Sequence, residues 1–423
     1  MRTSVYTQTV KETGLSKASE PALHNCSSDD DVLNTLKSDG SYNNMDIVLR
    51  SHVSAMCSED GVLCTPSIRK TCSDSTLLSS RANTDYECEA SGTFPYCSNA
   101  CEVEQNPKLV KQPSTVNFHD VYEATEQKLG EGSYGSVFTY KNRESGAECA
   151  VKIIEDCDDA SRRRVLREVG FCQRYSECDN IIKLVDVFEN GDTFFLIFDK
   201  IAGGELTRIL ASRECLSETE ASRVTGAIAR ALLALHNDGV AHRDVKPENI
   251  LCHIEGEVTP LVLCDLGLAS HLPSPNDPLT EGDSTKPAVV VSGGGSPDYI
   301  APEIISVMCG QSTTPYDTHC DLWSLGVLLY EMLFGVMPFS HGCEQHTGSI
   351  ELECEDCEVV LYKDILQGNY HFPKDVVELC SDSAVDLIQR LLVVDPQARY
   401  SAAQVLQHPF VAAYASDVLV TEL

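Results

Sequence analysis

The pattern of apolar and polar positions changes near residue 116. Residues 1–116 are rich in Ser, Asn, Asp and Thr and show no sustained repeat at the spacing of a strand or a helix. We predict that they form a disordered or loosely ordered extension. Residues 117–411 carry the periodic apolar patterns of one large domain, and residues 412–423 form a short tail.

Short apolar runs predict that this domain begins with strands. Residues 137–140 and 149–154 have strand composition, and residues 181–199 predict two further strands. A helix is predicted at 160–175, and a strongly apolar helix opens at residue 320. Strands that are followed by a series of helices indicate the α+β class.

A glycine-rich turn separates the first two predicted strands. The segment consists of Leu129, Gly130, Glu131, Gly132, Ser133, Tyr134, Gly135, Ser136 and Val137. Glycines let backbone amides approach nucleotide phosphates without a Cβ in the way. The same spacing suits a dinucleotide-binding fold, in which a helix follows the turn, but here a strand follows. The pattern favours a cradle for nucleotide phosphates.

Lys152 lies in the middle of the apolar strand at 149–154. A buried lysine is energetically costly unless it is paired with an anion. We predict that ATP phosphate is one such anion and that Glu168, on the helix at 160–175, is the other.

Residues 242–249 combine a base, a cation and a metal ligand at fixed offsets. The stretch resembles the catalytic loop of protein kinases, which implies that Asp244 accepts the proton of an attacking hydroxyl and that Lys246 neutralises charge on the moving phosphoryl group. Asn249 is predicted to bind Mg²⁺ together with Asp265, which follows a fully apolar strand. The alternative is an ordinary charged surface loop.

Five segments carry a resemblance to a known family: 120–123, 241–244, 248–252, 320–326 and 401–409. Between residues 118 and 410 the chain resembles serine/threonine protein kinases of the calmodulin-dependent-kinase-like group, and among them the MAP-kinase-interacting kinases. The resemblance implies ATP and Mg²⁺ as cofactors, activation by an upstream MAP kinase, and a cap-binding translation initiation factor as substrate. It also implies a bilobal protein-kinase fold.

The implied N-lobe is small, rich in strands and spans 117–200, whereas the larger helical C-lobe spans 203–411. Where the lobes join, Asp199 and Ile201 would offer backbone groups to the adenine edge. Glu205 would meet the ribose or a basic substrate side chain, although a solvated acid at a helix start is the alternative.

Two further contacts are predicted in the C-lobe. Asp321 is expected to lie against the backbone of the loop at 242–249. Arg399 is the predicted ion-pair partner of Glu303.

The chain departs from the family in its regulatory residues. Gly267 stands where the family has an aspartate, so a resting conformation tied to that aspartate is not implied. The activation segment at 270–295 lacks the usual threonine-proline sites, and the basic docking regions are not visible. We predict phosphorylation at Ser292, which could pair with Arg243, or at Ser274, which a proline follows. A flexible loop without a switch is the alternative.

The insertion at 341–358 predicts a structural zinc site. Cys343 and His346 form one x-x-spaced pair, and Cys354 and Cys357 form the other. Together they supply the four N and S ligands of a closed tetrahedral site. The family carries a cysteine-rich zinc insertion at this place. A chance pair in a solvated acidic loop is the alternative, and His341 is an alternate ligand.

The formal net charge of −32 changes the expected partners. Binding to nucleic acid requires clustered cations, so nucleic acid is not predicted as a partner. Protein substrates that are basic around the target Ser or Thr are predicted instead, because Glu205 and Glu248 flank the expected peptide groove. The C-terminal residues 420–423 fit the pattern that PDZ domains bind, or an ordinary frayed tail. A non-catalytic kinase-fold scaffold is the competing class of function.

The first residues show no signal peptide, and no apolar stretch reaches the length of about 18 residues that a membrane span requires. The 20 cysteines are therefore interpreted as mostly free thiols in a reducing setting. The predicted location is the cytoplasm, with the nucleus as a second possibility.

Overall fold

The structure of the protein is a computed structural model. It describes residues 112–132, 135–272, 297–312, 316–339, 342–343, 346 and 354–415. The predictions that concern residues 1–111, Ser133, Tyr134, Ser274, Ser292, His341 and residues 420–423 lie outside the described residues.

One antiparallel sheet forms the N-lobe, and its five strands lie in the spatial order β1-β2-β3-β5-β4. They are β1 (Tyr122–Gly132), β2 (Gly135–Asn142), β3 (Glu148–Ile154), β4 (Leu184–Asn190) and β5 (Thr193–Asp199). Strand β3 lies at the centre, with Lys152 paired to Val137 on one side and to Leu196 on the other. The predicted strands are therefore present, and the central strand holds the lysine in fixed register.

The helix α2 (Asp159–Arg174) packs on one face of this sheet. It begins after Asp158, whose carboxylate accepts a hydrogen bond from the Ser161 amide at 2.7 Å. The helix lies one residue earlier than the predicted span of 160–175. Its apolar face meets the sheet in a cluster that contains Ile154, Val165, Val169, Val187, Phe194 and Leu196. This burial fixes the helix beside β3.

The opposite face of the sheet is covered by the short helix α1 (Phe118–Val121). The Phe118 ring is fully buried and stacks on Phe195 with ring centroids 4.1 Å apart. The Phe118 amide donates to Asn190 Oδ1 at 2.8 Å, which ties the helix to the end of β4. The segment before β1 is thus part of the packed N-lobe.

The C-lobe consists mainly of helices, with short strands at its junction with the N-lobe. Its strands are β6 (Gly204–Glu205), β7 (Val240–Ala241), β8 (Ile250–Cys252), β9 (Leu261–Leu263) and β10 (Ser270–His271). The described helices are α3 (Leu206–Ser212), α4 (Glu218–His236), α5 (Pro302–Met308), α6 (Cys320–Phe334), α7 (Glu355–Gln367), α8 (Lys374–Val377), α9 (Asp382–Leu391), α10 (Ala402–Gln407) and α11 (Pro409–Ala415). The predicted α+β, bilobal fold is confirmed.

The central helix of the C-lobe is α6, which is buried along nearly its whole length. Its apolar sequence explains this position, because a helix that is hydrophobic on all sides is stable only inside a core. Among the helices of the described residues, none is both long enough and apolar enough to span a membrane.

The packing of Phe118 generates a stability prediction. Phe118→Ala should lower the free energy of unfolding by about 3–5 kcal/mol, because it opens a cavity among buried aromatic rings. The measurement is the urea midpoint of unfolding. The matched control is Val116→Ala, whose side chain is 54% exposed and whose effect should stay within about 0.5 kcal/mol. Equal effects of the two substitutions would contradict the role of Phe118.

Candidate active site

A single ammonium group joins three parts of the fold. Lys152 Nζ lies 2.9 Å from Glu168 Oε1 on α2 and 3.0 Å from Asp265 Oδ1, which follows β9. The Lys152 side chain is 12% exposed and that of Glu168 is 4% exposed. Burial alone would lower the pKa of Lys152, but the two carboxylates outweigh it and raise the pKa well above its ordinary value. The lysine therefore stays charged.

Asp265 lies in a tight turn directly after β9. Its backbone is left-handed, with φ 59° and ψ 74°, and its Oδ1 accepts a hydrogen bond from the Gly267 amide at 3.3 Å. Burial opposes ionisation, but the charge and hydrogen bond of Lys152 hold the pKa of Asp265 below its usual range. A charged carboxylate at this position is a suitable ligand for a divalent cation.

Gly267 leaves little space for a side chain. A Cβ at this position would lie 3.0 Å from Asp265 Oδ1 and 3.2 Å from Glu168 Oε2. Any larger residue would therefore press on both carboxylates that bind Lys152.

The loop at 242–249 brings a second set of polar groups together. Lys246 Nζ lies 3.0 Å from Asp244 Oδ1. Asn249 Nδ2 donates to the Asp244 carbonyl at 2.8 Å and to Asp244 Oδ2 at 2.7 Å. The three predicted residues of the loop therefore form one cluster around the Asp244 carboxylate.

Asp321, in the first turn of α6, holds the backbone of this loop. Its carboxylate accepts hydrogen bonds from the His242 amide at 2.8 Å and from the Arg243 amide at 2.7 Å. It also contacts His236 Nε2 at 2.8 Å and is fully buried. Burial opposes ionisation, but these contacts lower the pKa of Asp321 below its ordinary value of 3.8. The predicted position of Asp321 is confirmed.

The loop is also linked to the strand that carries Asp265. His242 Nε2 lies 3.0 Å from the Cys264 carbonyl, so the imidazole donates to the residue that precedes Asp265. Arg243 adopts φ 68°, and its Nε donates to the Leu268 carbonyl at 2.7 Å. These contacts fix the loop and the residues around Asp265 relative to each other.

The glycine-rich segment connects β1 and β2. Gly130 pairs with Val137, and Gly132 pairs with Gly135. A Cβ on Gly135 would lie 2.2 Å from the Ile153 carbonyl oxygen, so glycine is required at this close approach to β3. The described part of the predicted phosphate cradle therefore lies directly beside the strand of Lys152.

The remaining residues of the segment have ordinary surroundings. Leu129 is half-buried, Ser136 pairs with Glu131 across the hairpin, and the Glu131 carboxylate lies 2.5 Å from Lys128 Nζ.

The junction of the lobes contains the predicted adenine-binding residues. Asp199 ends β5 with an exposed side chain, and Ile201 is half-buried. Between them, Lys200 Nζ contacts Glu148 Oε2 at 2.8 Å and Gln127 Oε1 at 2.9 Å. Lys200 thus ties the junction to β1 and β3.

An acidic group that the sequence analysis did not single out lies near Glu248. Glu331 Oε2 accepts a hydrogen bond from the Tyr299 hydroxyl at 2.5 Å. Burial raises the pKa of Glu331, and the charge of Glu248 adds to this effect. Burial likewise raises the pKa of Glu205, with Arg208 opposing and Glu248 adding. The signal in the sequence was an acid inside the otherwise apolar helix α6.

A buried ion pair lies beside this helix. Arg399 binds Glu303 through two contacts, Nη1 to Oε1 at 2.8 Å and Nη2 to Oε2 at 3.0 Å. The Arg399 side chain is fully buried, and its guanidinium carbon lies 5.2 Å from the centre of the Trp323 ring. The predicted pairing is confirmed.

The four predicted zinc ligands are brought together. One ligand atom each of Cys343, His346, Cys354 and Cys357 lies within 4.8 Å of all the others. The Sγ atoms of Cys343 and Cys357 are 3.6 Å apart, and each lies 3.4 Å from His346 Nδ1. A tetrahedral zinc with bonds of about 2.3 Å to sulfur has S···S edges of about 3.8 Å, so these separations fit.

The two-lobed fold and the ion-paired lysine facing the Asp244 loop define the class of a protein kinase. The model of the protein kinase domain family matches residues 123–411. The chain is 42% identical over 299 residues to MAP kinase-interacting serine/threonine-protein kinase 1 of Xenopus tropicalis, with 70% of each chain covered.

Two further relatives are similar over the same domain. The chain is 40% identical over 315 residues to MAP kinase-interacting serine/threonine-protein kinase mnk-1 of Caenorhabditis elegans, which covers 73% of this chain and 44% of the relative. It is 35% identical over 299 residues to ribosomal protein S6 kinase alpha-2 of Mus musculus, of which it spans 36%. The chain belongs to the protein kinase family, and within it to the MAP kinase-interacting serine/threonine kinases.

The buried carboxylate of Asp321 generates a prediction with a defined pH dependence. Asp321→Asn should lower the free energy of unfolding at pH 7 by about 3 kcal/mol, because an amide cannot accept all the hydrogen bonds made by this carboxylate. The lowered pKa means that ionised Asp321 contributes stability above pH 3.8. That contribution is lost as the pH falls through the pKa of the folded state.

Urea unfolding of the native protein and of Asp321→Asn, repeated between neutral and acidic pH, measures this loss of stability. The difference between native protein and Asp321→Asn should shrink as the pH falls below 3.8. The control is Asp179→Asn, whose side chain is 93% exposed and whose effect should be within about 0.5 kcal/mol. A pH-independent difference would contradict the assignment.

Gly267 generates a kinetic prediction. Gly267→Asn and Gly267→Asp should both lower kcat/KM for ATP, by about tenfold or more, because the new side chain displaces the two carboxylates from Lys152. The two new side chains have similar sizes, but the aspartate also adds a third negative charge beside Glu168 and Asp265. Gly267→Asp should therefore lower kcat/KM more than Gly267→Asn. Steady-state kinetics at several ATP concentrations measure the effect, and equal activity of native protein and both variants would refute the steric argument.

Proposed function

We propose that this serine/threonine protein kinase transfers the γ-phosphate of ATP through the roles predicted for its motif residues. Lys152, held charged by Glu168 and Asp265, would bind ATP phosphates. Asp244 would accept the proton of the substrate hydroxyl, and Lys246 would neutralise charge on the transferred phosphoryl group. The observation that carries this proposal is the Lys152 ammonium, which lies 2.9 Å from Glu168 and 3.0 Å from Asp265.

The donor set suits Mg²⁺, which prefers oxygen ligands. Asn249 Nδ2 donates to Asp244 at two positions, so Oδ1 is the amide atom that can face a cation. Asp265 supplies a carboxylate whose lowered pKa keeps it ionised. These two residues would hold the ion, and its chemistry would be to neutralise the bridging phosphates of ATP. The residues at 129–137, with Asp199, Ile201 and Glu205, would surround the nucleotide.

Basic protein substrates are proposed on electrostatic grounds. Burial, and in addition the charge of nearby Glu248, raises the pKa of Glu205 and of Glu331, and the chain as a whole carries a net charge of −32. Such a surface attracts Arg or Lys that precede the target Ser or Thr, and the attraction weakens with salt.

The regulation of the enzyme is proposed from its relatives. Their names describe kinases that interact with MAP kinase, and an upstream MAP kinase is the proposed activator here. Phosphorylation at Ser292 or Ser274, a translation initiation factor as substrate, a PDZ ligand at the C-terminus and a cytoplasmic or also nuclear location remain proposals from the sequence.

Phosphate transfer tests the catalytic proposal. Asp244→Asn and Lys152→Ala should each lower radiolabelled phosphate transfer to a basic peptide by about 100-fold or more, because they remove the base and the phosphate-binding cation. Glu257→Gln, an exposed change away from the loop, is the control. Transfer that is absent in the native protein, although ATP binds, would favour the scaffold alternative.

The same assay tests the substrate class. Peptides with Arg before the target Ser should be phosphorylated faster than matched peptides with Glu at the same position. Glu248→Gln should reduce this difference in rate. Equal rates for both peptides at low ionic strength would contradict the proposal.

We propose zinc as the metal of the Cys343, His346, Cys354 and Cys357 cluster. Protein that is purified without added zinc should contain about one zinc per chain, and chelation should lower its thermal stability. Cys354→Ser should lose the metal while ATP binding is retained. Cys215→Ser, which changes an exposed cysteine outside the cluster, is the control. Full zinc content in a Cys354→Ser, Cys357→Ser double variant would reject these ligands.

A further inference from the structure

One carboxylate of the C-lobe holds the C-terminal end of α2. Asp238 Oδ2 accepts hydrogen bonds from Arg174 Nε at 2.8 Å and from the Tyr175 hydroxyl at 3.0 Å. The side chains of Arg174 and Asp238 are only 15% and 25% exposed, so water screens this pair less than a surface pair. Arg174 is the last residue of α2, and Tyr175 follows it.

Asp238 lies in the turn between α4 and β7, and the same turn contacts the start of the activation segment. The Gly239 carbonyl accepts a hydrogen bond from the Leu272 amide at 3.0 Å. Strand β7 pairs with β10, so that Val240 lies opposite His271. Gly239 adopts φ 70°, which lets the turn contact α2 on one side and β10 on the other.

A second contact joins α2 to β10 directly. The Phe171 and His271 rings lie 5.8 Å apart at an angle of 54°. His271 Nε2 is buried and has no hydrogen-bond partner among the described residues, so this contact depends on ring packing.

The opposite end of α2 is fixed to the sheet of the N-lobe. Arg162 binds Glu189 on β4 through two contacts, Nε to Oε1 at 2.8 Å and Nη2 to Oε2 at 2.9 Å. Glu168 lies between the two attachments and six residues before Arg174, which is about 9 Å along the helix axis. Two fixed ends determine where a rigid helix places a residue between them. The position of Glu168 therefore depends on the C-lobe contact as well as on the sheet.

We propose that Asp238 is a positioning residue for phosphate transfer. Through Arg174 and Tyr175 it holds α2 against the C-lobe, so that Glu168 reaches Lys152. The same turn keeps β10 paired with β7. This inference rests on the role of the Lys152 and Glu168 pair in the proposed function.

A mutant cycle separates this positioning role from a general effect on folding. Asp238→Ala should lower kcat/KM for ATP by a factor of about ten, and the double variant Arg174→Ala, Asp238→Ala by the same factor, because Asp238→Ala already removes both hydrogen bonds. Arg174→Ala alone keeps the hydrogen bond from Tyr175 and should cause a smaller loss. In a Glu168→Gln background, Asp238→Ala should cause no further loss, because the residue it positions has already lost its charge. The exposed Arg163→Ala on the same helix is the control and should keep native kinetics.

Two kinetic outcomes would overturn the proposal. Native kcat/KM in Asp238→Ala would do so, as would an equal tenfold loss in the Glu168→Gln background, which would show that Asp238 acts independently of Glu168.

Hydrogen exchange tests the contact without any activity readout. The more conservative Asp238→Asn should speed amide exchange in the last two turns of α2 and at Leu272, whereas Arg163→Ala should not. Unchanged exchange in Asp238→Asn would reject the attachment itself. If the native protein transferred no phosphate but exchange changed as expected, the proposed function would fail while the attachment remained.

Discussion

The Lys152 ammonium is the interaction on which the arrangement of the two lobes around the site depends. It is shared by Glu168, 16 residues later in the chain, and by Asp265, 113 residues later. A buried cation is stable only when opposite charges replace the water it has lost. The N-lobe sheet, α2 and the end of β9 must therefore all be in place before this lysine is satisfied. The same requirement makes the geometry sensitive to distant contacts, because a helix that shifts by about one ångström moves Glu168 out of hydrogen-bonding range.

Asp321 plays the corresponding part inside the C-lobe. A carboxylate within an apolar helix is normally destabilising, but this one accepts two backbone amides of the catalytic loop and contacts His236. The loop keeps Arg243 in a left-handed conformation and holds the Asp244, Lys246 and Asn249 cluster together. A deeply buried helix therefore positions the catalytic loop, because its carboxylate is satisfied largely by the backbone amides of that loop.

The cysteines of the described residues differ in their surroundings, and amino-acid composition alone does not reveal this difference. Burial raises the pKa of the Cys172 and Cys320 thiols well above the ordinary value, so these thiols are unreactive parts of the core. The Cys343, His346, Cys354 and Cys357 cluster differs because its ligand atoms face one another rather than apolar side chains. Spacing in the sequence distinguished these residues, and the fold gives them the separations that a tetrahedral metal needs.

The sequence by itself determined the local elements and the groups that carry chemistry. The strand around Lys152, the helix of Glu168, the loop from His242 to Asn249 and Asp265 after its apolar strand follow from short-range patterns, because propensity and motif spacing act within a few residues. The match of α2 to its predicted span, within one residue at each end, has the same origin.

Only the tertiary structure decided which distant groups meet. The strand order that puts β5 between β3 and β4, the hydrogen bond of Tyr299 to Glu331 and the attachment of Arg174 to Asp238 join residues that no local pattern relates. An acid or an arginine on a half-exposed surface has many possible partners, and its sequence neighbours do not choose among them. That choice is made when helices and strands pack, because packing fixes the positions of whole elements and brings side chains separated by tens of residues within hydrogen-bonding distance.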